Sequence, residues 1–319
     1  MKPARTLCAL LLSVGAVGSA LAQAYPAKPV KIISGYVAGG IGSTIAQLFA
    51  NELGRQLKQT VYVEDKPGAS NTISARAAMA ARPDGYTLHI GGINSHPLLY
   101  KRGVDLSKEM VPVATVAAMP LVFVTTATQP MKSVAELVAY AKAQPGKLDF
   151  ASSGGGAQHN LLMALFASRV GIGYTHIPFK GTGEIQTAIA RGDVHITLLT
   201  PPSAMPLLDS GKAHAILIGA PERSALLPNV PTPAEAGLKP FTADTMLVLW
   251  APRGTPRDVL QKLNAAALAA NKDPAYAESL KEKTGSPPVS LTPEQTGQLF
   301  ASKVEELAEA IQIAKFKPE

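Results

Sequence analysis

Cysteine is almost absent from this sequence of 319 residues, because the only one is Cys8. It lies within residues 1–22, where Lys2 and Arg5 precede a short apolar stretch, Thr6 to Val17, that is followed by the small-residue pattern Ser19-Ala20-Leu21-Ala22. This pattern is typical of a secretory signal peptide, and the stretch is shorter than the ~20 residues that span a bilayer. Cleavage after Ala22 would also remove Cys8. We therefore expect an exported chain without disulfides, a thiol nucleophile or a thiolate metal site.

Aromatic residues are also scarce, at 5% of the chain, which argues against a protein that binds nucleic acid by stacking on its bases. The net charge is +7, but the basic residues are scattered and never form a run of four. A nucleic-acid surface would show them as a cluster or a stripe. Hydrophobic residues make up 46% of the sequence, which is enough for a substantial core, and the length predicts about two domains.

Common enzyme motifs are missing from the sequence. It contains no G-x-S-x-G nucleophile elbow, no phosphate-binding loop and no H-E-x-x-H zinc motif. The six histidines show no metal-ligand spacing. We therefore expect no metal, no cofactor and no catalytic centre. An exported hydrolase that uses Ser153 with His159 is a weaker alternative, because no acid that would orient the histidine is evident.

Short β-rich segments alternate with glycine turns and helical patterns along the chain. Strands are predicted at residues 30–34, 61–63, 86–90, 148–152, 176–179, 195–199 and 213–218, and the apolar run at 245–250 is predicted to return to the first unit. Such alternation predicts an α/β fold with mostly parallel sheets flanked by helices. Two Thr-Pro pairs, Thr255-Pro256 and Thr292-Pro293, predict helices with threonine as the N-cap and proline at the first helical position.

Glycine turns follow the predicted strands in both halves of the chain. They are Gly39-Gly40, Gly68, Gly91-Gly92, Gly154-Gly155-Gly156 and Gly181. In parallel sheets, ligands bind beyond the carboxyl ends of the strands. Glycine lets the backbone approach a ligand there, and helix N-termini offer free N–H donors to an anion. Each turn alone is explained by tight βα geometry, but together they indicate an anion site between two domains.

Several motifs resemble the substrate-binding receptors of tripartite tricarboxylate transporters, which are Bug-type periplasmic binding proteins. They occur in family order across nearly all of residues 23–319. The motifs are Tyr25-Pro26-x-Lys28-Pro29, Glu64-Asp65-Lys66-Pro67-Gly68-Ala69, Pro83-Asp84-Gly85-Tyr86-Thr87, Ser152-Ser153-Gly154, Ile177-Pro178-Phe179-Lys180-Gly181, Pro202-Ser203-Ala204-x-Pro206, Leu227-Pro228-Asn229-Val230-Pro231-Thr232 and Ala251-Pro252-x-Gly254-Thr255-Pro256.

The resemblance implies a two-lobed α/β clamshell of the type II-like periplasmic-binding-protein class. Lobe 1 would comprise residues 23–122 and 243–319, and lobe 2 residues 123–242. The protein would be a monomeric periplasmic receptor that delivers a small organic acid to the membrane permease subunits of a tripartite transporter. A sensory receptor that presents the acid to a two-component system is an alternative.

The resemblance also implies ligand-binding positions, at which backbone amides and small hydroxyls would hold the acid. These positions are Tyr36, Gly40, Ser43, Ser70, Asn71, Thr72, Asn94, Ser95, Ser152, Ser153, Gly154, Lys180, Gly181 and Thr200.

The sequence departs from the family pattern at positions that bear on the ligand. Ser43 and Leu199 stand where the family often has acids, and Ala157 stands where it has a threonine. A site without carboxylates would not stabilise a ligand ammonium group, since an isolated buried charge is unfavourable. With Tyr36 as an aromatic wall, these departures predict a mono- or dicarboxylate with an apolar or aromatic body rather than an amino acid.

Overall fold

The computed structural model describes residues 25–153, 157–239 and 241–317, so the predicted signal peptide lies outside the described residues. Ten strands lie within these ranges: β1 (Val30–Ser34), β2 (Val61–Asp65), β3 (Thr87–Gly91), β4 (Met110–Pro120), β5 (Val122–Thr126), β6 (Asp149–Ser153), β7 (Thr175–Phe179), β8 (Ile196–Leu199), β9 (Ala213–Ile218) and β10 (Asp244–Pro252). The α-helices within them are α1 (Ile41–Leu57), α2 (Thr72–Met79), α3 (Leu106–Glu109), α4 (Val134–Ala143), α5 (Ala157–Val170), α6 (Thr182–Arg191), α7 (Pro201–Asp209), α8 (Arg257–Lys272), α9 (Pro274–Thr284) and α10 (Pro293–Ala314).

The first sheet has the strand order β2-β1-β3-β10-β4. β1 pairs in parallel with β2 and β3, whereas β10 runs antiparallel to both β3 and β4. Helices α1, α8 and α9 cover one face, where Phe49 and Leu263 share an apolar core with Ile32. Helices α2 and α10 cover the other face, where the Phe300 ring lies edge-on to Trp250 with 4.9 Å between ring centroids.

The second sheet has the strand order β7-β6-β8-β5-β9. β6 pairs in parallel with β7 and β8, and β5 runs antiparallel to β8 and β9. Helices α6 and α7 pack on one face, and α4 and α5 pack on the other, where Phe166 contacts Phe123. Both sheets are therefore mixed rather than mostly parallel, because the strands next to the crossings between the sheets pair antiparallel.

The chain crosses between the two sheets twice. β4 continues through Leu121 into β5, and the segment after β9 returns to β10, as the apolar run at 245–250 predicts. Three backbone hydrogen bonds join these segments: Leu121 N–H donates to Ala243 O (2.8 Å), Ala243 N–H to Gly219 O (2.9 Å), and Gly219 N–H to Leu121 O (2.8 Å). The lobe boundaries at 122/123 and 242/243 remain a prediction, next to these crossings.

The two Thr-Pro pairs begin their helices differently. The prediction for α10 is confirmed, because the Thr292 hydroxyl accepts a hydrogen bond from the Gln295 N–H at 3.2 Å and the Gln295 side chain accepts from the Thr292 N–H at 2.9 Å. The prediction for α8 is wrong by one residue. Pro256 is its N-cap, and the Thr255 hydroxyl donates instead to Pro252 O at 2.7 Å.

Candidate functional site

The predicted ligand-binding residues of the first sheet follow the carboxyl ends of its parallel strands. Tyr36, Gly40 and Ser43 follow β1. Those that follow β2 and β3 are Ser70, Asn71, Thr72, Asn94 and Ser95. Because β1, β2 and β3 are parallel, these turns meet at one edge of the sheet.

The predicted residues of the second sheet stand at the matching edge. Ser152 and Ser153 end β6, and Lys180-Gly181 and Thr200 follow β7 and β8; Gly154 lies outside the described residues. β4 leaves the first sheet at the edge where β1 to β3 end, and β5 enters the second opposite Leu199, the last residue of β8. The crossing therefore brings the two sets of turns towards each other.

Tyr36 is held between the first turn of α1 and Asn71. A side chain at Gly42 would overlap the Tyr36 ring, so glycine is required there. Burial raises the pKa of the Tyr36 phenol above its usual range, and the Asn71 side chain lies near enough to oppose this shift but not in hydrogen-bonding geometry. The Tyr36 hydroxyl is thus a buried donor without a hydrogen-bond partner among the residues that the structure describes.

The turn before α2 has an uncommon backbone. Gly68, Ala69, Ser70 and Asn71 have consecutive positive φ angles of 120°, 44°, 50° and 70°. Residues other than glycine rarely adopt this region, and such strain concentrates at functional sites. The turn brings Asn71 Oδ1 to 2.6 Å from where a Cβ of Gly35 would lie. Only glycine fits at position 35, and sequence reasoning missed this residue.

Ser43 contacts a carboxylate that sequence reasoning also missed. Its hydroxyl donates to Oδ2 of Asp65 at 2.9 Å. Asp65 ends β2, and the parallel register places it opposite Ser34 of β1. The expectation of a site without carboxylates therefore does not hold beside Ser43. Oδ1 of Asp65 is buried and has no hydrogen-bond partner in the described part of the chain.

Asn94 and Ser95 belong to a short 3-10 turn, Ile93–Ser95, directly after β3. Ser95 is buried, and its hydroxyl donates to Val104 O at 3.4 Å, which is a weak hydrogen bond within the protein. Asn94 differs, because its buried Oδ1 has no partner within the described residues. Of this pair, Asn94 is the residue that retains an unused acceptor.

In the second sheet, Ser152 is supported by a histidine. Ser152 is 2% exposed, and its Oγ lies 2.7 Å from Nε2 of His176 on β7. The His176 ring packs against Phe150 of β6. Nearby, the Tyr174 hydroxyl donates to Oδ1 of Asn160 at 2.8 Å and so anchors the first turns of α5. Sequence reasoning found Ser152 but missed His176.

In the two turns after β7 and β8, some of the hydrogen-bonding groups are already bonded to other residues of the protein. The Lys180 side chain is exposed, and its backbone N–H donates to Oε2 of Glu184 at 3.1 Å. The Thr200 hydroxyl donates to Ser203 Oγ at 2.9 Å. α7 begins with two prolines, which have no N–H to offer. Neither turn therefore presents a full set of free donors to an anion.

The N-terminus of α5 differs from that of α6 and α7. Its first turn contains no acidic residue, whereas α6 carries Glu184 in its first turn. α7 also has no acid there, but its first two residues are prolines without N–H groups. The first N–H groups of a helix lack intrahelical partners, and the macrodipole makes that end positive. Of these three helices, α5 is best suited to bind a carboxylate.

A cavity of about 700 Å³ lies beside the crossing rather than between the predicted turns. It is bounded by β4, residues 220–228, the loop between α9 and α10, and α10 itself. At its wall, Nζ of Lys303 lies 2.6 Å from Oδ1 of Asp244 and also contacts Thr242. No predicted ligand-binding residue lines this cavity.

Residues 25–153, 157–239 and 241–317 contain neither a metal-binding cluster nor a membrane-spanning helix. No group of three or more His, Cys, Asp or Glu side chains there is placed to hold a metal ion. None of the helices in those ranges is both long enough and apolar enough to cross a bilayer.

Comparison with known proteins places this arrangement among related chains. A model of the tripartite tricarboxylate transporter family receptor matches residues 45–315. A Rhodopseudomonas palustris protein, Rpa4515, solved with adipate, is 27% identical, covers 92% of this chain and 100% of its own, and has a TM-score of 0.78. The periplasmic binding protein BugD is 28% identical with coverages of 92% and 100% and a TM-score of 0.73. MatC from Rhodopseudomonas palustris with bound malate is 29% identical with coverages of 91% and 99% and a TM-score of 0.69.

Proposed function

The chain belongs to the tripartite tricarboxylate transporter receptor family, and on that premise we propose that it binds a small organic carboxylate between two lobes and delivers it to membrane permease subunits. The observation that carries the proposal is the meeting of two sets of parallel-strand turns at the crossing. Adipate and malate bound to Rpa4515 and MatC support a carboxylate ligand. The relatives are solute-binding proteins, so the hydrolase alternative built on Ser153 and His159 is set aside.

We assign residues 23–122 and 243–319 to lobe 1 and residues 123–242 to lobe 2. The backbone hydrogen bonds among Leu121, Gly219 and Ala243 support a hinge at this boundary. Bending there closes the facing turns on the ligand. The receptor acts as a monomer in the periplasm after cleavage behind Ala22, and the periplasmic relative BugD supports this location.

The ligand carboxylate binds at the N-terminus of α5, next to Ser152, Ser153 and Gly154. The absence of an acid from the first turn of α5 supports this placement. His176 holds the Ser152 hydroxyl and so fixes this turn. The remaining predicted positions contribute backbone or side-chain contacts around the ligand. They are Tyr36, Gly40, Ser43, Ser70, Asn71, Thr72, Asn94, Ser95, Lys180, Gly181 and Thr200.

Identifying the bound acid tests the function directly. Native mass spectrometry of protein purified under mild conditions should detect a retained carboxylic acid. In a thermal-shift panel of adipate, malate, citrate, benzoate, aspartate and glutamate, a true ligand at ~1,000 times its dissociation constant adds about 4 kcal/mol of stability. A protein that retains no acid and is stabilised by none would contradict the proposal.

Ser153→Asp tests the placement of the carboxylate. The new negative charge would stand where the ligand carboxylate binds, and like charges repel. We expect at least a tenfold loss of affinity, which is about 1.4 kcal/mol. Ser168→Asp is the matched control, because it makes the same change at an exposed position near the other end of α5. Equal affinities of the two variants would show that the Ser153 turn does not contact the ligand.

A further inference from the structure

Asp65 is an acid at the site edge without a cationic partner among the residues that the structure describes. Its neighbour Glu64 is bound by both Lys31 and Lys66, each at 2.9 Å. Asp65 forms one side-chain hydrogen bond, in which Oδ2 accepts from the Ser43 hydroxyl at 2.9 Å. Its other oxygen, Oδ1, is buried and has no partner within the described residues. No described side chain therefore satisfies this half of the carboxylate.

Three unpartnered polar atoms follow three adjacent strands at this edge. They are Oδ1 of Asp65 at the end of β2, the hydroxyl of Tyr36 after β1, and Oδ1 of Asn94 after β3. Buried polar groups in native proteins are nearly always hydrogen-bonded, so each exception requires an explanation. All three lie at the edge of the first sheet where β1 to β3 end and from which β4 crosses to the second sheet, so a ligand between the lobes explains them together.

The chemistry of these atoms restricts what they can bind. A carboxylate oxygen and an amide oxygen only accept hydrogen bonds. The partner of Asp65 must therefore donate one. A second carboxylate on the ligand would be repelled by Asp65, whereas a hydroxyl group donates to it and an ammonium group adds a charge pair.

We propose that Asp65 determines specificity by accepting a hydrogen bond from a hydroxyl or ammonium group of the bound acid. This inference rests on the proposed function. It also orients the ligand in the site, because the ligand carboxylate binds at the N-terminus of α5 and the donor group binds at Asp65. Ser43 is a positioning residue, because it holds the Asp65 carboxylate through Oδ2. The proposal replaces the expectation of an apolar-bodied acid, which depended on a site without carboxylates.

Calorimetric titration with matched acids tests this selection. Each series keeps one carbon skeleton and compares the parent acid with its hydroxy and amino derivatives. The series are succinate, malate and aspartate; glutarate, 2-hydroxyglutarate and glutamate; and phenylpropionate, phenyllactate and phenylalanine. In the series that binds best, we expect a derivative to bind at least tenfold more tightly than its parent. A parent that binds as tightly as its derivatives overturns the proposal.

Asp65→Asn should abolish this preference, because the amide replaces an acceptor with a donor and removes the charge. If the natural donor is an ammonium group, the substitution lowers the affinity for the amino derivative more than the affinity for the hydroxy derivative. If the natural donor is a hydroxyl group, the wild-type protein binds the hydroxy derivative more tightly than the amino derivative. Glu64→Gln is the matched control, since Glu64 precedes Asp65 on the opposite face of β2 and is ion-paired. It should leave the ratio between derivative and parent unchanged.

The unliganded protein provides a second readout. A buried carboxylate oxygen without a hydrogen-bond partner is unfavourable. Without ligand, the Asp65→Asn variant should therefore have an unfolding temperature equal to or higher than that of the wild type. If Asp65 instead has a purely structural role and supports the first turn of α1, the variant should unfold at a lower temperature than the wild type. That result would overturn the proposal. Equal binding of the parent acids and their derivatives to both proteins refutes the role of Asp65 but leaves the proposed function standing. Failure of every acid to bind refutes the proposed function itself.

Discussion

His89 lies fully buried in the middle of the first sheet. Its Nδ1 is 3.0 Å from Ile33 O, and its Nε2 has no partner within the described chain. Burial lowers the pKa of this imidazole from 6.5 to about 4, because desolvation disfavours the charged form. The side chain is therefore neutral in the folded protein at neutral pH.

Acidification should destabilise the protein through His89. Below pH 6.5 the unfolded chain binds a proton that the folded chain does not bind until about pH 4. The free energy of unfolding therefore falls as the pH drops through this interval, by up to about 3 kcal/mol. His89→Asn keeps a donor for Ile33 O but removes the titrating group. Urea unfolding of both proteins from about pH 7 to about pH 4.5 compares their slopes, and parallel curves would contradict this role of His89.

Residues that sequence reasoning missed at the site share a cause. Asp65 reaches Ser43 through the pairing of β1 with β2, and His176 reaches Ser152 through the pairing of β6 with β7. These contacts depend on strand register, which no local pattern encodes. The glycine turns were predictable because a tight turn after a strand depends on neighbouring residues only. Gly35 was missed because its close neighbour, Asn71, is distant in sequence.

The helices show how far local patterns determine structure. Both Thr255 and Thr292 precede a proline, but only Thr292 caps its helix. Thr292 is followed three residues later by Gln295, whose side chain returns to the Thr292 N–H. Thr255 lies three residues after the end of β10, and its hydroxyl donates to Pro252 O of that strand. A strand that ends beside the cap thus outcompetes the helix for the threonine hydroxyl.

Loss of the Thr292 cap should weaken α10 measurably. Thr292→Ala removes the acceptor for the Gln295 N–H, which costs about 1 kcal/mol for a typical N-cap. Thr292→Ser keeps a hydroxyl in place and should stay close to the wild-type stability. Guanidinium unfolding of the three proteins gives the comparison. A serine variant as unstable as the alanine variant would mean that packing of the threonine methyl group, and not the cap, is responsible.

The strand and helix order was largely predictable, but the direction of the strands was not. Alternating strands and helices predicted parallel pairing, and β1, β2, β3, β6, β7 and β8 follow it. β10 follows a long connection from the other sheet and enters between β3 and β4 in the opposite direction. Hydrophobic periodicity reports that a strand is buried, not which neighbours it has.

The two halves of the molecule are joined by more than the crossing strands. α10, which covers the first sheet, packs against α5 of the second. Leu307 of α10 and Phe166 of α5 belong to the same apolar core. On the other side, Gly285 after α9 lies against Pro201 of α7. A hinge closure as proposed would therefore have to bend the crossing segments and would also act on these two contacts.

Ligand binding should compact the protein as a whole. If the lobes hinge at residues 121, 219 and 243, the facing turns approach each other and the radius of gyration falls. Small-angle scattering with and without the acid found by mass spectrometry measures this change. Ser153→Asp at the same ligand concentration is the control, since it should bind less and therefore remain more open. Identical profiles for the free and saturated wild type would contradict hinge closure.

From the position of β10 between β3 and β4 we also expect an order of folding. All five strands of the second sheet lie within residues 122–218, so that sheet can form from one continuous stretch of chain. The first sheet cannot be completed until β10 arrives from beyond that stretch, and contacts between such distant segments form slowly. The single tryptophan, Trp250, sits on β10 and donates to Gly91 O at 3.1 Å. We therefore expect its fluorescence to follow the completion of the first sheet, and to change in a later phase of refolding than the far-UV circular dichroism signal, to which residues 122–218 contribute without a tryptophan.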